Sequence, residues 1–166
     1  MAVVVVSVLL IVVLTFSVPR KEPERKGPAI VTVEIDFKEF GPGQPNVTTY
    51  WRLSNRTAPS QGEPEYIVHR AIAEGQVRWS IQVRLDNNTV YDALEKASSV
   101  ANFTFKSEWY PNFRSHRVNE IAGVRDGTDN RFWQYYVNGQ YMGTGADQTA
   151  VSDGDVVRWE FRQALQ

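Results

Sequence analysis

The chain has no cysteine, only two histidines, and charges that nearly cancel. Without cysteine it can form no disulfide, no cysteine-based zinc site and no thiol nucleophile. Its 18 basic and 19 acidic residues give a formal net charge of −1. That balance excludes a dominant electrostatic attraction to nucleic acid, so nucleic acid is not an expected partner.

Catalytic and cofactor motifs are also missing. His69 and His116 do not stand in a spacing that would bring two imidazoles onto one zinc ion. There is no G-x-S-x-G elbow, and the glycine-rich segment 139–145 lacks the lysine and the order of a phosphate-binding loop. We therefore expect a protein that is not an enzyme, has no catalytic residues and contains no cofactor.

Two aspartate-glycine segments, 126–130 and 153–155, resemble parts of calcium loops. Neither has the twelve-residue spacing or the final glutamate of an EF-hand. Aspartate and asparagine also favour turns because they accept hydrogen bonds from nearby backbone amides. We interpret both segments as turns and predict no metal site.

What the sequence does have, first of all, is an apolar N-terminus. Residues 2–18 carry no charge and are mostly valine, leucine and isoleucine. A run near the lower limit of roughly 17–25 residues can cross a bilayer. We predict a transmembrane or signal helix over residues 1–18, with the membrane as a partner through residues 2–18. It is either an uncleaved signal anchor, which we prefer, or a cleaved signal that would leave the protein secreted.

Residues 19–29 are rich in proline and mixed charge, which is typical of a solvated tether. Basic residues just after the apolar run favour a cytoplasmic domain by the positive-inside tendency. N-x-T sequons at Asn46, Asn55, Asn87 and Asn102 favour the exterior. We predict that the protein is membrane-anchored, with its domain exterior to the cytoplasm.

A single domain is expected over residues 30–166. Residues 30–37 alternate apolar and polar side chains, which predicts a half-buried strand. Residues 41–75 form an extra segment that is broken by glycine and proline. Within it, residues 66–68 and 71–73 fit either a strand or a short helix.

The next elements show clearer patterns. Residues 77–85 alternate again and should pair with the first strand. Thr89 followed by Asp92 resembles a capping box, which predicts one main helix over about 89–101. Strands near 103–109 and 118–124 are then expected to complete a mixed sheet.

The C-terminal region is the most informative. Residues 132–137 are rich in aromatic and β-branched side chains, and Asn138-Gly139 is typical of a tight hairpin turn. Asp153-Gly154-Asp155 should turn the chain into a last strand in which residues 157, 159 and 161 share one face.

The W-x-Y-Y-V-N-G and D-G-D-x-V-x-W-x-F motifs of this region, with the preceding helix and residues 121–124, resemble the transcobalamin-like C-terminal domain, a domain-of-unknown-function family. The resemblance covers about residues 77–163. It implies an α+β fold of the β-grasp type, and a binding role rather than catalysis. In transcobalamin-like proteins this domain forms one side of a cobalamin site and a large helical domain forms the other. That helical domain is absent from this sequence, so we do not expect cobalamin or another corrinoid to bind this chain alone.

Aromatic residues exceed what a small sheet needs, which points to recognition. We expect Tyr136, Asn138, Tyr141 and Met142 to be exposed. The preferred function is a membrane-anchored extracytoplasmic module that binds a small ligand or surface protein through aromatic hairpin loops. The alternative is an assembly protein that acts through a sheet edge, with residues 41–75 as the interface. The candidate ligand-binding residues are Trp133, Tyr135, Tyr136, Asn138, Gly139, Tyr141 and Met142.

Overall fold

The computed structural model describes residues 28–42, 47–49, 66–73 and 76–164. These residues form ten strands and one α-helix, so the fold is α+β and dominated by sheet. The elements are β1 (Ala29–Lys38), β2 (Val47–Thr49), β3 (Tyr66–Ala73), β4 (Gln76–Leu85), α1 (Val90–Ala101), β5 (Phe105–Tyr110), β6 (Ser115–Ile121), β7 (Val124–Arg125), β8 (Arg131–Val137), β9 (Gln140–Tyr141) and β10 (Val156–Gln163).

The larger sheet has seven strands in the order β2-β3-β4-β1-β10-β8-β9. β1 lies at its centre, parallel to β10 on one side and antiparallel to β4 on the other. Val33 is opposite Val157 in β10 and Ile81 in β4, and all three side chains are fully buried. The alternation in β1 and β4 therefore predicted both the strands and the buried face correctly.

The smaller sheet has three strands in the order β5-β6-β7. The prediction that these strands complete one mixed sheet is therefore wrong. One reason lies at the edge of β8, where the Asp126 carboxylate accepts a 2.7 Å hydrogen bond from the backbone N–H of Trp133. The Trp133 indole N–H also donates to the Val124 carbonyl at 2.9 Å. Side chains thus take bonding positions that a ladder from β7 would otherwise use.

Helix α1 begins as the sequence predicted. The Thr89 hydroxyl accepts from the Asp92 backbone N–H at 3.1 Å, and the Asp92 carboxylate accepts from the Thr89 N–H at 3.2 Å. Asn102 ends the helix in the left-handed conformation. The buried face of the helix packs against β4 and β1 and consists of Val90, Ala93, Leu94, Ala97 and Ala101.

The core between helix and sheet contains a cluster of aromatic rings among its aliphatic side chains. The Phe37 ring makes edge contacts with Trp79 at 4.7 Å and with Trp133 at 5.5 Å between centroids. The Trp133 ring lies 5.2 Å from that of Phe161. These contacts join β1, β4, β8 and β10, so the one buried layer depends on strands from both ends of the described chain.

Residues 66–73 form a strand, which settles the choice between strand and helix there. Most of the extra segment 41–75, the tether and the predicted membrane helix lie outside the described residues. Among the residues that the structure does describe, no helix is long and apolar enough to span a bilayer.

The helix cap provides a direct test of this architecture. Thr89→Ala should lower the free energy of unfolding by about 1 kcal/mol, because an orphan amide in the first turn loses its acceptor. Urea denaturation would measure the loss. Thr104→Ala is the matched control, since Thr104 is exposed in the segment after the helix. Equal stabilities for the two variants would contradict the capping role of Thr89.

Candidate functional site

A cavity of about 340 Å³ separates the smaller sheet from the β8–β9 hairpin and the segment that follows it. One wall comes from the ends of β5 and β6, and the other from β8, β9 and residues 142–146. The lining residues are Tyr110, Phe113, Ser115, His116, Arg117, Val118, Trp133, Gln134, Tyr135, Tyr141, Met142, Gly143, Thr144, Gly145, Ala146 and Trp159.

Aromatic side chains stand exposed at this cavity. Phe113 is 70% exposed and Tyr141 is 47% exposed, and both line it. Trp109, which is 49% exposed, lies nearby in β5 but does not line the cavity. Large apolar side chains held in solvent next to a concavity are typical of a recognition surface.

The inner wall of the cavity is buried and fixed by hydrogen bonds. Trp133 and Tyr135 are each 7% exposed. The Tyr135 hydroxyl donates to the Thr144 carbonyl at 2.7 Å and lies 2.7 Å from the Thr149 hydroxyl. Burial raises the pKa of Tyr135 against the lowering effect of these bonds, so the phenol stays neutral at physiological pH. The wall therefore offers a rigid aromatic surface whose polar tips are already bonded.

Asp147 connects the segment after β9 to β6. One carboxylate oxygen accepts from the Ser115 hydroxyl at 2.7 Å and from the His116 backbone N–H at 2.6 Å. The other oxygen lies 2.8 Å from the His116 Nδ1. Burial acts to raise the pKa of Asp147, but the bonds from His116 and Ser115 outweigh it and lower that pKa. The ionised carboxylate is thus the docking point of the segment after β9.

Gly145 allows the backbone of the segment after β9 to approach Ser115 of β6 closely. A Cβ placed on Gly145 would lie 2.2 Å from the Ser115 Cβ and 2.0 Å from its hydroxyl oxygen. No such separation is tolerated between real atoms, so only glycine lets the segment approach β6 this closely.

His116 is held on several sides. Its ring stacks on Tyr91 with 4.5 Å between centroids and lies 4.9 Å from the ring of Trp109. The serine next to it bonds to Asp147 rather than to the imidazole. These three residues therefore lack the serine–imidazole contact of a catalytic triad, and their bonds instead fix the cavity wall. His116 lies in strand β6.

The residues proposed from sequence fall into two groups. Trp133, Tyr135, Tyr141 and Met142 line the cavity, whereas the other three do not. Asn138 and Tyr141 are exposed as expected, but Met142 is only half-exposed because it packs against the core. Ligand binding by any of these residues stays a prediction.

The three residues away from the cavity have structural contacts instead. Tyr136 is also only half-exposed, and its hydroxyl accepts from Arg162 at 2.9 Å. Asn138 donates to the Asp155 carboxylate at 2.8 Å and accepts from the Val156 N–H at 2.9 Å. Asn138 and Gly139 both have positive φ, as the predicted hairpin turn requires.

Three of the four aspartates of the two calcium-like segments bond to backbone amides. Asp126 accepts from Trp133, Asp153 from Ile30 and Asp155 from Ser152, at 2.7–2.9 Å. In the described part of the chain, no three histidine or acidic side chains cluster in a way that could hold a metal ion. The contacts are those of turns, as the sequence interpretation has them.

Comparison with known proteins places this site inside a known domain. The model of a domain of unknown function (DUF4430) matches residues 87–163. This segment is similar to that family, the transcobalamin-like C-terminal domain family. The resemblance inferred from the C-terminal motifs is thereby confirmed for 87–163. Every residue that lines the cavity lies within the matched DUF4430 segment.

Among solved structures, the chain is similar to the "crystal structure of a putative metal binding protein" from Ruminococcus gnavus ATCC 29149. The identity is 16% and the TM-score 0.47, over 82% of this chain and 99% of that one. The chain matches no curated protein.

The close approach at Gly145 can be tested with a matched glycine. Gly145→Ala should lower the free energy of unfolding by about 1–3 kcal/mol, because the new methyl group collides with Ser115. Gly143→Ala should change it by less than about 1 kcal/mol, since a Cβ there meets nothing within 4 Å. Urea denaturation of both variants would decide. Similar losses would show that the segment is not pressed against β6.

The lowered pKa of Asp147 predicts a pH dependence. Its folded pKa lies below the unfolded value, so its contribution is complete above the unfolded pKa and disappears as pH falls through the folded one. Asp147→Asn should therefore be less stable than wild type at neutral pH, and the difference should shrink toward about pH 2. Thermal unfolding across that range would measure it. A difference that stays constant with pH would contradict the assignment.

Proposed function

We propose that the chain is a membrane-tethered, extracytoplasmic binding module whose ligand is a small molecule bound in the cavity beside Phe113 and Tyr141. The observation that carries the proposal is the concavity itself, with a buried aromatic wall and exposed aromatic residues at the same place. Its 340 Å³ lies at the lower end of the range of about 300–1,000 Å³ that is usual for small-molecule sites.

The lining indicates what kind of molecule fits. Aromatic and apolar side chains dominate, and they offer flat surface to a ring or another planar apolar group. Thr144, His116 and Arg117 add polar groups at separate points of the lining. A ligand with one flat apolar part and a few polar substituents would match this surface.

Binding is favoured over catalysis because the His116 imidazole, which lines the cavity, is held by structural contacts. Asp147 accepts from two neighbouring residues of β6, and its interactions include the Nδ1 of His116. These bonds hold the cavity wall in place, which is the preorganisation that a binding site needs. The proposed function is therefore binding and not catalysis.

The predicted fold type and the predicted membrane anchor are consistent with this role. The match of residues 87–163 to the transcobalamin-like family supports a β-grasp arrangement, with which one helix packed on a mixed sheet agrees. An apolar anchor over residues 2–18, a tether and four sequons support an exterior position. The alternative, assembly through residues 41–75, concerns a segment that lies mostly outside the described residues.

A thermal-shift screen of the full chain in mild detergent would test the function. The probes are corrinoids, sugars, nucleotides and divalent ions. A molecule that binds only the folded state at 100 times its dissociation constant adds about 2.7 kcal/mol to stability, which raises the melting temperature. We expect one class to give such a shift, and Phe113→Ala and Tyr141→Ala each to remove most of it.

Trp109→Ala is the matched control, because Trp109 is equally exposed but does not line the cavity. It should leave the ligand-induced shift unchanged. If the shift survives in both cavity variants, the ligand binds elsewhere. If a folded sample responds to no probe class, the small-molecule proposal is wrong for these classes.

A further inference from the structure

Strand β5 is an open edge. Within the described part of the chain it has a hydrogen-bonded neighbour, β6, on one side only. Edge strands present rows of unpaired N–H and C=O groups that can pair with another chain. Trp109, near the C-terminal end of this strand, is also among the most exposed large apolar side chains of the described residues.

The direction of the free groups can be worked out from one contact. The Thr104 carbonyl accepts from the Ala122 N–H at 2.8 Å, so the backbone groups of Thr104 face the residue that directly follows β6. Backbone groups alternate sides along a strand, so those of Phe105, Ser107 and Trp109 point outward. Any strand that pairs with this edge must bond to those three residues.

The charges on β5 select one register for a second copy of the same strand. Lys106 and Glu108 flank Ser107 and both are exposed. In an antiparallel pair centred on Ser107, Lys106 of each copy stands opposite Glu108 of the partner subunit. The neighbouring registers that also match outward groups would place Lys106 against Lys106, or Glu108 against Glu108, which is unfavourable.

We propose that β5 pairs antiparallel with β5 of a second copy about a two-fold axis at Ser107, which joins the two smaller sheets into one. Such an interface is isologous, since each copy contributes the same surface. The pairing does not rest on the proposed ligand: it involves residues 105–109, none of which lines the cavity, and Phe113 and Tyr141 lie outside β5.

The aromatic residues agree with the same register. Phe105 of one copy stands opposite Trp109 of the partner subunit, and the reverse pair forms on the other side of the axis. Phe105 already packs against Tyr91, with 5.8 Å between ring centroids. Pairing would therefore cover the exposed Trp109 ring with an aromatic neighbour, which is a favourable cross-strand combination. The contact is small, so the dimer should be weak and concentration-dependent.

Charge reversal gives a test with built-in rescue. Sedimentation velocity of the full chain in mild detergent, over a wide concentration range, should show a reversible monomer–dimer equilibrium. Lys106→Glu and Glu108→Lys should each weaken it by about tenfold or more, since each creates two like-charge pairs across the axis. The double variant K106E/E108K should restore it, because the opposite charges face each other again.

Arg125→Glu is the control. Lys106 lies 2.8 Å and Arg125 3.1 Å from the Glu120 carboxylate, but Arg125 is in β7, away from the edge. It disturbs the same glutamate and should leave the dimer intact. Weakening by Arg125→Glu as strong as that by Lys106→Glu would overturn the edge contact.

Hydrogen exchange would locate the contact. The amides of Phe105, Ser107 and Trp109 should gain protection at concentrations where the dimer forms. A chain that stays monomeric, a double variant that is not rescued, or protection that appears on another strand would each overturn the proposal. A loss of ligand binding in the cavity variants would leave this result unaffected, so the two proposals fail separately.

Discussion

The structure depends on the parallel pairing of β1 with β10, the first and last strands of the described chain. Thr32 donates to the Asp155 carbonyl at 2.9 Å, and Gly154 donates to the Ile30 carbonyl at 2.8 Å. These bonds start a ladder that runs to Asp36 opposite Glu160. Because β1 also pairs with β4, and β10 with β8, this one contact joins the two halves of the larger sheet.

The segment matched by the family model does not contain the whole sheet. Residues 87–163 contain the helix, the smaller sheet, β8, β9 and β10, but β1 and β4 lie before them. Trp159 and Phe161 of β10 pack in the layer that Phe37 and Trp79 complete from the earlier strands. The cavity wall formed by β8 and β10 therefore packs on strands outside the family match, so the cavity depends on the whole sheet.

Sequence patterns predicted where the strands and the helix lie better than they predicted which strands pair with one another. Alternation identified β1, β4, β8 and β10, and the Thr89–Asp92 pair marked the start of α1, because these signals are local. The separate smaller sheet was missed, since periodicity tells which face of a strand is buried but not which strand lies beside it. The hydrogen bond from the Trp133 N–H to Asp126 occupies the free edge of β8, and it has no sequence pattern of its own.

Only the cavity residues that belong to local sequence patterns could be predicted from the sequence. The aromatic run of β8 and the hairpin after it were visible in sequence, so Trp133, Tyr135, Tyr141 and Met142 could be named. Ser115 and Asp147 are 32 residues apart and meet only through the fold. Asn138 and Gly139 form the hairpin turn that the sequence predicted, and ligand binding by them stays a prediction.

The cavity and the open edge meet at His116. Its backbone N–H and Nδ1 bond to Asp147, which holds the cavity wall, while its ring lies between Tyr91 and Trp109. Trp109 stands directly opposite His116 in the β5–β6 ladder. The ring of His116 therefore packs against Trp109 at the open edge, while its backbone N–H and Nδ1 fix the cavity wall through Asp147.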